Sequence, residues 1–355
     1  DTAVSEHSMQ TGAIAYHDGY LIVPVSLIEV ALAEDPRHEC CRAHGAVHRL
    51  EPRTGAIVWT AHMTEEATRR GMTAREVVVF GTGQNASMPA TDMSDAVVAL
   101  NLDDGSVRWH FQATAGDTFN SACPSSGPNC PKWRGPDFDF GAGVMLARNA
   151  RGKDILLAGQ KSGDVYALDP DDGGAVLWRT RVGSGSLLGG VHWGMTRIGD
   201  TLYAAANDFP FPIPGYRAKP GLYALDIDSG DIRWEYRVEH GCEMTMHEYF
   251  GRSELYPDCS YFFAFSAALM SSNDLVFAPA LDGKVRAFHA DTGDVLWTYR
   301  TARSFQTTAG TKAHGGSMDN VGVQVAGEWA YMQSGYALFG QLPGNVLLAF
   351  RLGPT

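Results

Sequence analysis

Five segments of the chain share one pattern: a short strand with apolar residues, a tight turn carrying glycine, and a tryptophan four or five residues beyond that glycine. They read GAVHRLEPRTGAIVW (45–59), DAVVALNLDDGSVRW (95–109), DVYALDPDDGGAVLW (164–178), GLYALDIDSGDIRW (221–234) and GKVRAFHADTGDVLW (283–297). The tryptophans, Trp59, Trp109, Trp178, Trp234 and Trp297, are separated by 50, 69, 56 and 63 residues. A unit of that length, with period-2 alternation and a turn signal, is the mark of β-propeller blades. The tryptophans read as packing residues, one large ring per blade. The slot before each turn, filled by Glu51, Asn101, Asp169, Asp226 and His289, reads as turn and capping chemistry and not as catalytic acids.

Composition agrees with many short strands joined by turns: 45% of residues are apolar, 19% are charged and 40 are glycine. The length alone would suggest more than one domain, but the repeat favours a single all-β domain over 1–355, a propeller of four-stranded blades. Six units are visible, the last ending in GNVLLAFRL without an outermost strand. A propeller closes by letting the other terminus supply such a strand, and residues 1–8 are polar and short for that task.

A net charge of −12 argues against nucleic acid and against an anionic membrane surface. No apolar run reaches the length of a spanning helix. A first residue Asp1 instead of Met reads as a processed or trimmed chain. The six cysteines fall into local pairs, Cys40 with Cys41, Cys123 with Cys130 and Cys242 with Cys259, which predicts three disulfides and an oxidising, periplasmic or secreted, location. For Cys40 and Cys41 a vicinal bond and a separate structural role both remain open. No C-x-x-C occurs, so neither cysteine metal ligation nor covalent haem attachment is expected.

The strand–turn–tryptophan unit resembles the docking motif of the pyrroloquinoline quinone (PQQ) dependent alcohol dehydrogenases. The stretches VPVSLIE, CCRAHGAV, GPNCPK, AGQKSGDVYALDP, GGVHWGM, ALDGKVRAF, AHGGSMDN and PGNVLLAF look closest to the polyvinyl alcohol dehydrogenases of that family. The resemblance implies an eight-bladed propeller whose funnel holds PQQ and Ca2+, oxidises alcohols and passes electrons to a cytochrome c. It also implies roles by position. Glu29, Gln84 or Asn85, and Asp139 match calcium ligands, with Asp139 also the catalytic base. Ser26 falls near the cofactor carboxylates, Lys161 matches the cation on the quinone oxygens, His192 and Trp193 match a pair beside the quinone, and Phe265 stands where a tryptophan lines the cavity.

The residue chemistry supports this pattern. A hard dication takes oxygen ligands; as a Lewis acid it polarises a carbonyl. Lys161 adds positive charge where negative charge develops, and a carboxylate at Asp139 can accept the hydroxyl proton. Glu29 interrupts the apolar stretch LIVPVSLIEVALA, where a carboxylate needs a partner or a metal.

Three features depart from the family. The chain starts where a third blade is expected, no tryptophan lies between Trp59 and Trp109 to stack on PQQ, and Gln84 occupies the asparagine position. These departures favour an alternative, a non-catalytic propeller of the same lineage that binds proteins. A hydrolytic or carbohydrate-binding propeller lacks paired carboxylates that the sequence places across a cleft.

Overall fold

The computed structural model describes residues 3–10, 12–63, 77–208, 218–238 and 263–351. The chain divides into two compact units, Asp1–Val144 with Asp169–Ala175, and Met145–Leu168 with Val176–Thr355. Both are built from antiparallel sheets of the propeller-blade type, and the fold is an all-β propeller of such blades.

In the first unit, β1 (Ser8–Met9), β3 (Tyr20–Leu27), β4 (Ala46–Leu50) and β5 (Ile57–His62) pair in that order, with β2 (Ala15–His17) also on β3. A single helical turn, α1 (Glu29–Leu32), follows β3. A second sheet joins β6 (Val77–Gly81), β7 (Ala96–Asn101) and β8 (Val107–Gln112).

The second unit begins with β9 (Met145–Arg148), β10 (Asp154–Gly159), β11 (Asp164–Asp169) and β12 (Ala175–Arg181). Next come β13 (Thr196–Ile198), β14 (Thr201–Ala206), β15 (Gly221–Asp226) and β16 (Ile232–Arg237), then β17 (Met270–Ser272), β18 (Leu275–Pro279), β19 (Lys284–His289) and β20 (Val295–Arg300). A hairpin of β21 (Ser304–Gln306) and β22 (Lys312–His314) precedes β23 (Gln324–Ala326), β24 (Trp329–Ser334) and β25 (Val346–Arg351).

Inner strands are buried on both faces, as the uninterrupted apolar runs demand: every residue of AVVALN in β7 and of TLYAAA in β14 is buried. Outer strands such as AVLWRTR in β12 are mostly exposed, with Trp178 turned inward.

The tryptophan repeat has a physical cause in the packing of ring on turn. Trp59 Nε1 donates to Leu102 O, Trp178 Nε1 to Ile227 O and Trp234 Nε1 to Ala290 O, at 2.8, 2.9 and 2.8 Å. Each ring lies flat on a turn glycine. A Cβ placed on Gly105, Gly230 or Gly293 would stand 2.7 Å from the rings of Trp59, Trp178 and Trp234, and one on Gly174 would stand 2.8 Å from Trp109. Those glycines also have positive φ, so both the close approach and the backbone exclude a side chain. A β-bulge follows the residue paired with tryptophan in four hairpins, at Arg49/Leu50, Ala99/Leu100, Ala224/Leu225 and Ala287/Phe288. The extra local twist re-aims the outer strand. The slot residues behave as turn formers: Glu51 accepts from the amides of Arg53 and Thr54, Asp226 from those of Asp228 and Ser229, and Asp169 from that of Asp171.

Cys40–Cys41 and Cys123–Cys130 are disulfide-bonded. Cys242 and Cys259 lie outside the described residues. Among the described residues no helix is long and apolar enough to cross a membrane.

Candidate functional site

In the first unit, four chain segments converge on a set of aspartates. Asp95 immediately precedes β7, and its amide donates to Gly83 O at 3.1 Å. Asn85 N donates to Asp117 O, Gly135 N to Thr118 O and Phe140 N to Thr82 O, so the stretches 82–85, 117–118 and 135–140 are laced together around Asp95. The glycines permit the approach: a Cβ at Gly83 would lie 2.6 Å from Asp139 Oδ1, and one at Gly135 would overlap Asp117 Oδ1. Asp139 Oδ1 accepts the Gln84 amide at 3.2 Å, and Asp117 Oδ2 accepts that of Phe138 at 3.0 Å.

The electrostatics of this cluster are unusual. Asp95 and Asp117 are fully buried. No protein donor reaches either carboxylate oxygen of Asp95, nor Asp117 Oδ1. Burial first, then the neighbouring carboxyl of Asp117, and then Asp139 and Asp137, push Asp95 up to about 10. Asp95, with no donor on either oxygen, faces Asp117, with only Oδ2 satisfied, a pair that a shared proton or a cation would relieve. Asp95 and Asp117 offer oxygens, the ligand type of a hard dication, but among the described residues no third carboxylate joins them within metal-ligand reach.

Glu29 lies elsewhere in the same unit, buried at the start of α1. Its carboxylate accepts the Ala43 amide at 2.7 Å and the Arg42 amide at 3.0 Å, and faces His38 Nε2 at 3.3 Å. Burial opposes ionisation there, but the Ala43 and Arg42 amides and then His38 outweigh it and hold the carboxyl below its usual range. Ser26 is exposed on β3, opposite Met9. Gln84 donates from Nε2 to Phe119 O at 3.3 Å, and Asn85 Oδ1 accepts from the Thr91 amide at 2.8 Å.

In the second unit the structure brings two of the quoted stretches together. The turn after β10 carries Lys161, which is buried. Val191 N donates to Gln160 O at 3.0 Å, and Gly190, at φ +69°, packs so closely that a Cβ would stand 2.0 Å from Lys161 O. This sets His192 beside Lys161. Burial and then the lysine charge drop the imidazole to about 3, so it is neutral at physiological pH. His192 Nδ1 lies 2.9 Å from Ser266 Oγ, and its ring is 4.6 Å from that of Trp193.

A buried Asp319 lies in the same neighbourhood. It is raised by burial and pulled back by Ser266, the Asn320 amide, Gln341 and Trp193. The Trp193 indole N–H helps hold the Asp319 carboxyl down without closing a hydrogen bond of full geometry. Phe265 is fully buried in the apolar core, against Tyr236 and Phe288 and under the Arg286 guanidinium, and so backs the site from inside the packing.

Sequence reasoning passed over Asp95, Asp117 and Asp319. Asp95 abuts the apolar run AVVAL, the same cue that marked Glu29, and Asp319 lies within the quoted AHGGSMDN stretch.

Known proteins give this arrangement a lineage. The family model described as "Outer membrane protein assembly factor BamB" (PQQ_2) matches residues 34–129 and 161–336. Polyvinylalcohol dehydrogenase of Sphingopyxis sp. (strain 113P3) is 35% identical over 96% of this chain and 56% of the relative, and that of Pseudomonas sp. is 34% identical over the same shares. The chain thus spans about half the length of these curated relatives. Quinohemoprotein alcohol dehydrogenase ADHIIG from Pseudomonas putida HK5 superposes with a TM-score of 0.64 at 16% identity, covering 100% of this chain and 62% of that one, a likeness of fold. By the extent of the family match, the chain belongs to the PQQ-type β-propeller family, and its curated likenesses are polyvinyl alcohol dehydrogenases.

Proposed function

We propose that the chain serves PQQ- and calcium-dependent oxidation of alcohols, acting on secondary alcohol groups such as those of polyvinyl alcohol, in the periplasm, with a cytochrome c taking the electrons. The observation that carries this reading is the burial of Lys161 beside a neutral His192, which joins the AGQKSG and GGVHW stretches at one place. The polyvinyl alcohol dehydrogenases named above support the substrate class.

PQQ, when bound, supplies the two-electron acceptor for the alcohol hydride, and calcium supplies the Lewis acid beside its carbonyl. The remaining work falls to this chain. Asp139, anchored by the Gln84 amide, is oriented to take the alcohol proton. Gln84 or Asn85 and Asp139 offer oxygens to the cation, and Asp95, held neutral by burial and its acidic neighbours, would give up its proton to admit one. The family resemblance also assigns Glu29 to the cation and Ser26 to the cofactor carboxylates; in the structure Glu29 is held by the Ala43 and Arg42 amides beside His38 and Ser26 is exposed on β3. Lys161 provides positive charge for the reduced oxygens, and Trp193 offers its indole N–H. His192, kept neutral, adds no second cation. Asp139 and Lys161 lie in different compact units, and each role is testable by itself.

The test is reduction of an electron-accepting dye by the purified chain with PQQ, Ca2+ and secondary alcohols. Activity that requires both additions and falls in Lys161→Ala supports the proposal. A folded chain that neither binds PQQ nor turns over favours the second reading, a protein-binding propeller, to which the family description of an assembly factor points.

A further inference from the structure

Beside the acidic pocket, the first unit holds a different donor set. Donor atoms of His7, Glu29 and His38 all lie within 4.8 Å of one another. The backbone builds this convergence. β1 pairs with β3 through Ser8 opposite Leu27 and Met9 opposite Ser26, and Ile28 N donates to His7 O at 2.9 Å, which sets His7 against the start of α1. From the other side, Asn129 Nδ2 donates to the carbonyls of Ala33, Asp35 and His38, fixing the turn that presents the second imidazole. The two rings meet edge to face, with centroids 5.4 Å apart.

We propose that His7, Glu29 and His38 form a binding site for a zinc-class divalent ion that clips the N-terminal strand to the segment 29–43. Two imidazoles and one carboxylate make a nitrogen-rich set, which suits Zn2+ and its neighbours and not the all-oxygen preference of calcium. His38 Nε2 and Glu29 Oε1 are already 3.3 Å apart. That is close to the separation expected of two ligands at ~2.0–2.1 Å from one tetrahedral ion. The Ala43 and Arg42 amides orient the carboxylate from behind, as outer hydrogen bonds do around bound metals. Glu6, with Oε1 3.6 Å from His7 Nε2 and its side chain exposed, or a water, takes the fourth position. Glu29 is also the glutamate that the family resemblance assigns to calcium, and here that carboxylate serves the zinc-class ion instead; the test uses no quinone.

The experiment is calorimetric titration of the untagged, metal-stripped chain with Zn2+, alongside the His7→Gln/His38→Gln double variant and a His44→Gln/His62→Gln control. The control is needed because His44 Nε2 lies 2.8 Å from His62 Nδ1 on the surface. The wild type should bind saturably, and the first double variant should lose one equivalent or weaken it by at least about tenfold. Zn2+ should also raise the melting temperature of the wild type and leave that of His7→Gln/His38→Gln unchanged. Substitution with Co2+ should give visible bands of a low-coordinate nitrogen–oxygen site in the wild type and not in that variant. Both imidazoles are partly exposed, and circular dichroism without metal checks that the variant folds. Absence of saturable Zn2+ binding, binding retained in His7→Gln/His38→Gln, or binding lost only in His44→Gln/His62→Gln would each overturn the proposal.

Discussion

The two units each bury a carboxyl, and they treat it in opposite ways. Asp319 in the second unit accepts the Asn320 amide at 2.8 Å and Gln341 Nε2 at 3.1 Å, with Ser266 and Trp193 lowering its cost further. Asp95 in the first unit receives no donor and faces more acids. Burial raises both, but only the second unit supplies its own compensation. A buried polar group with its partners in place is a finished structural network; one without them marks a place that a proton or a ligand must complete. On that contrast the second unit surrounds its carboxyl with donors, and the first unit holds a carboxyl whose oxygens its own donors leave unmet.

The largest effect should come from the residues that meet substrate and cofactor. Lys161→Ala and Asp139→Asn should each lower the rate of PQQ-linked alcohol oxidation by about 10²–10³-fold in steady-state assays. Equal losses in the two variants would fit roles in one reaction; a Lys161→Ala enzyme at full rate would remove the lysine from it.

Next in size is the response of the first unit to pH. Asp95 has its folded pKa raised to about 10, so the stabilisation it gives as a neutral carboxyl is complete below its unfolded value near 4 and is lost as pH rises toward 10. Urea unfolding of the calcium-free chain should therefore show stability declining across that window. Asp95→Asn should flatten the decline, and added Ca2+ should do the same in the wild type. The second unit provides the comparison, since Asp319→Asn should cost stability by stranding donors already committed to it.

Smaller effects are expected at the turn glycines. Gly105→Ala meets both a positive φ and the Trp59 ring, and should destabilise by about 2–4 kcal/mol. Gly55→Ala has a similar φ with nothing within 4 Å of the new Cβ, and should cost only about 1 kcal/mol of backbone strain. Chemical denaturation of the pair separates docking from strain, and equal losses would contradict tryptophan docking as the cause. The smallest signal is a null one. His192, lowered to about 3, should show no titration between pH 5 and 8 by NMR, and its neutral burial costs stability only as pH falls below the usual histidine range toward that value.

Much of this was legible in the chain itself. The glycine and tryptophan spacing gave the blades because ring, turn and positive φ are tied to one another within a few residues of sequence, and the turn role of Glu51 and Asp226 follows from the same local geometry. The pairing of Lys161 with His192 was legible only as two motifs; their contact depends on the close approach of Gly190 to the Lys161 carbonyl, 29 positions away in the chain. Asp95 carried the apolar-run cue that marked Glu29, but Asp117 alone looks like a turn aspartate, and the cost of the pair appears only when remote segments bury them together. His7 was hidden for a similar reason: a polar terminal stretch offers no signal that a two-residue strand will pair with β3 and carry an imidazole to Glu29.

The most direct test of the central claim is calorimetric titration of PQQ into the metal-stripped chain with and without Ca2+, repeated in Asp139→Asn. Saturable binding that needs Ca2+, and that weakens by at least about tenfold in the variant, is the expected result. PQQ binding that ignores calcium and the substitution, or no binding by the folded chain, would contradict it.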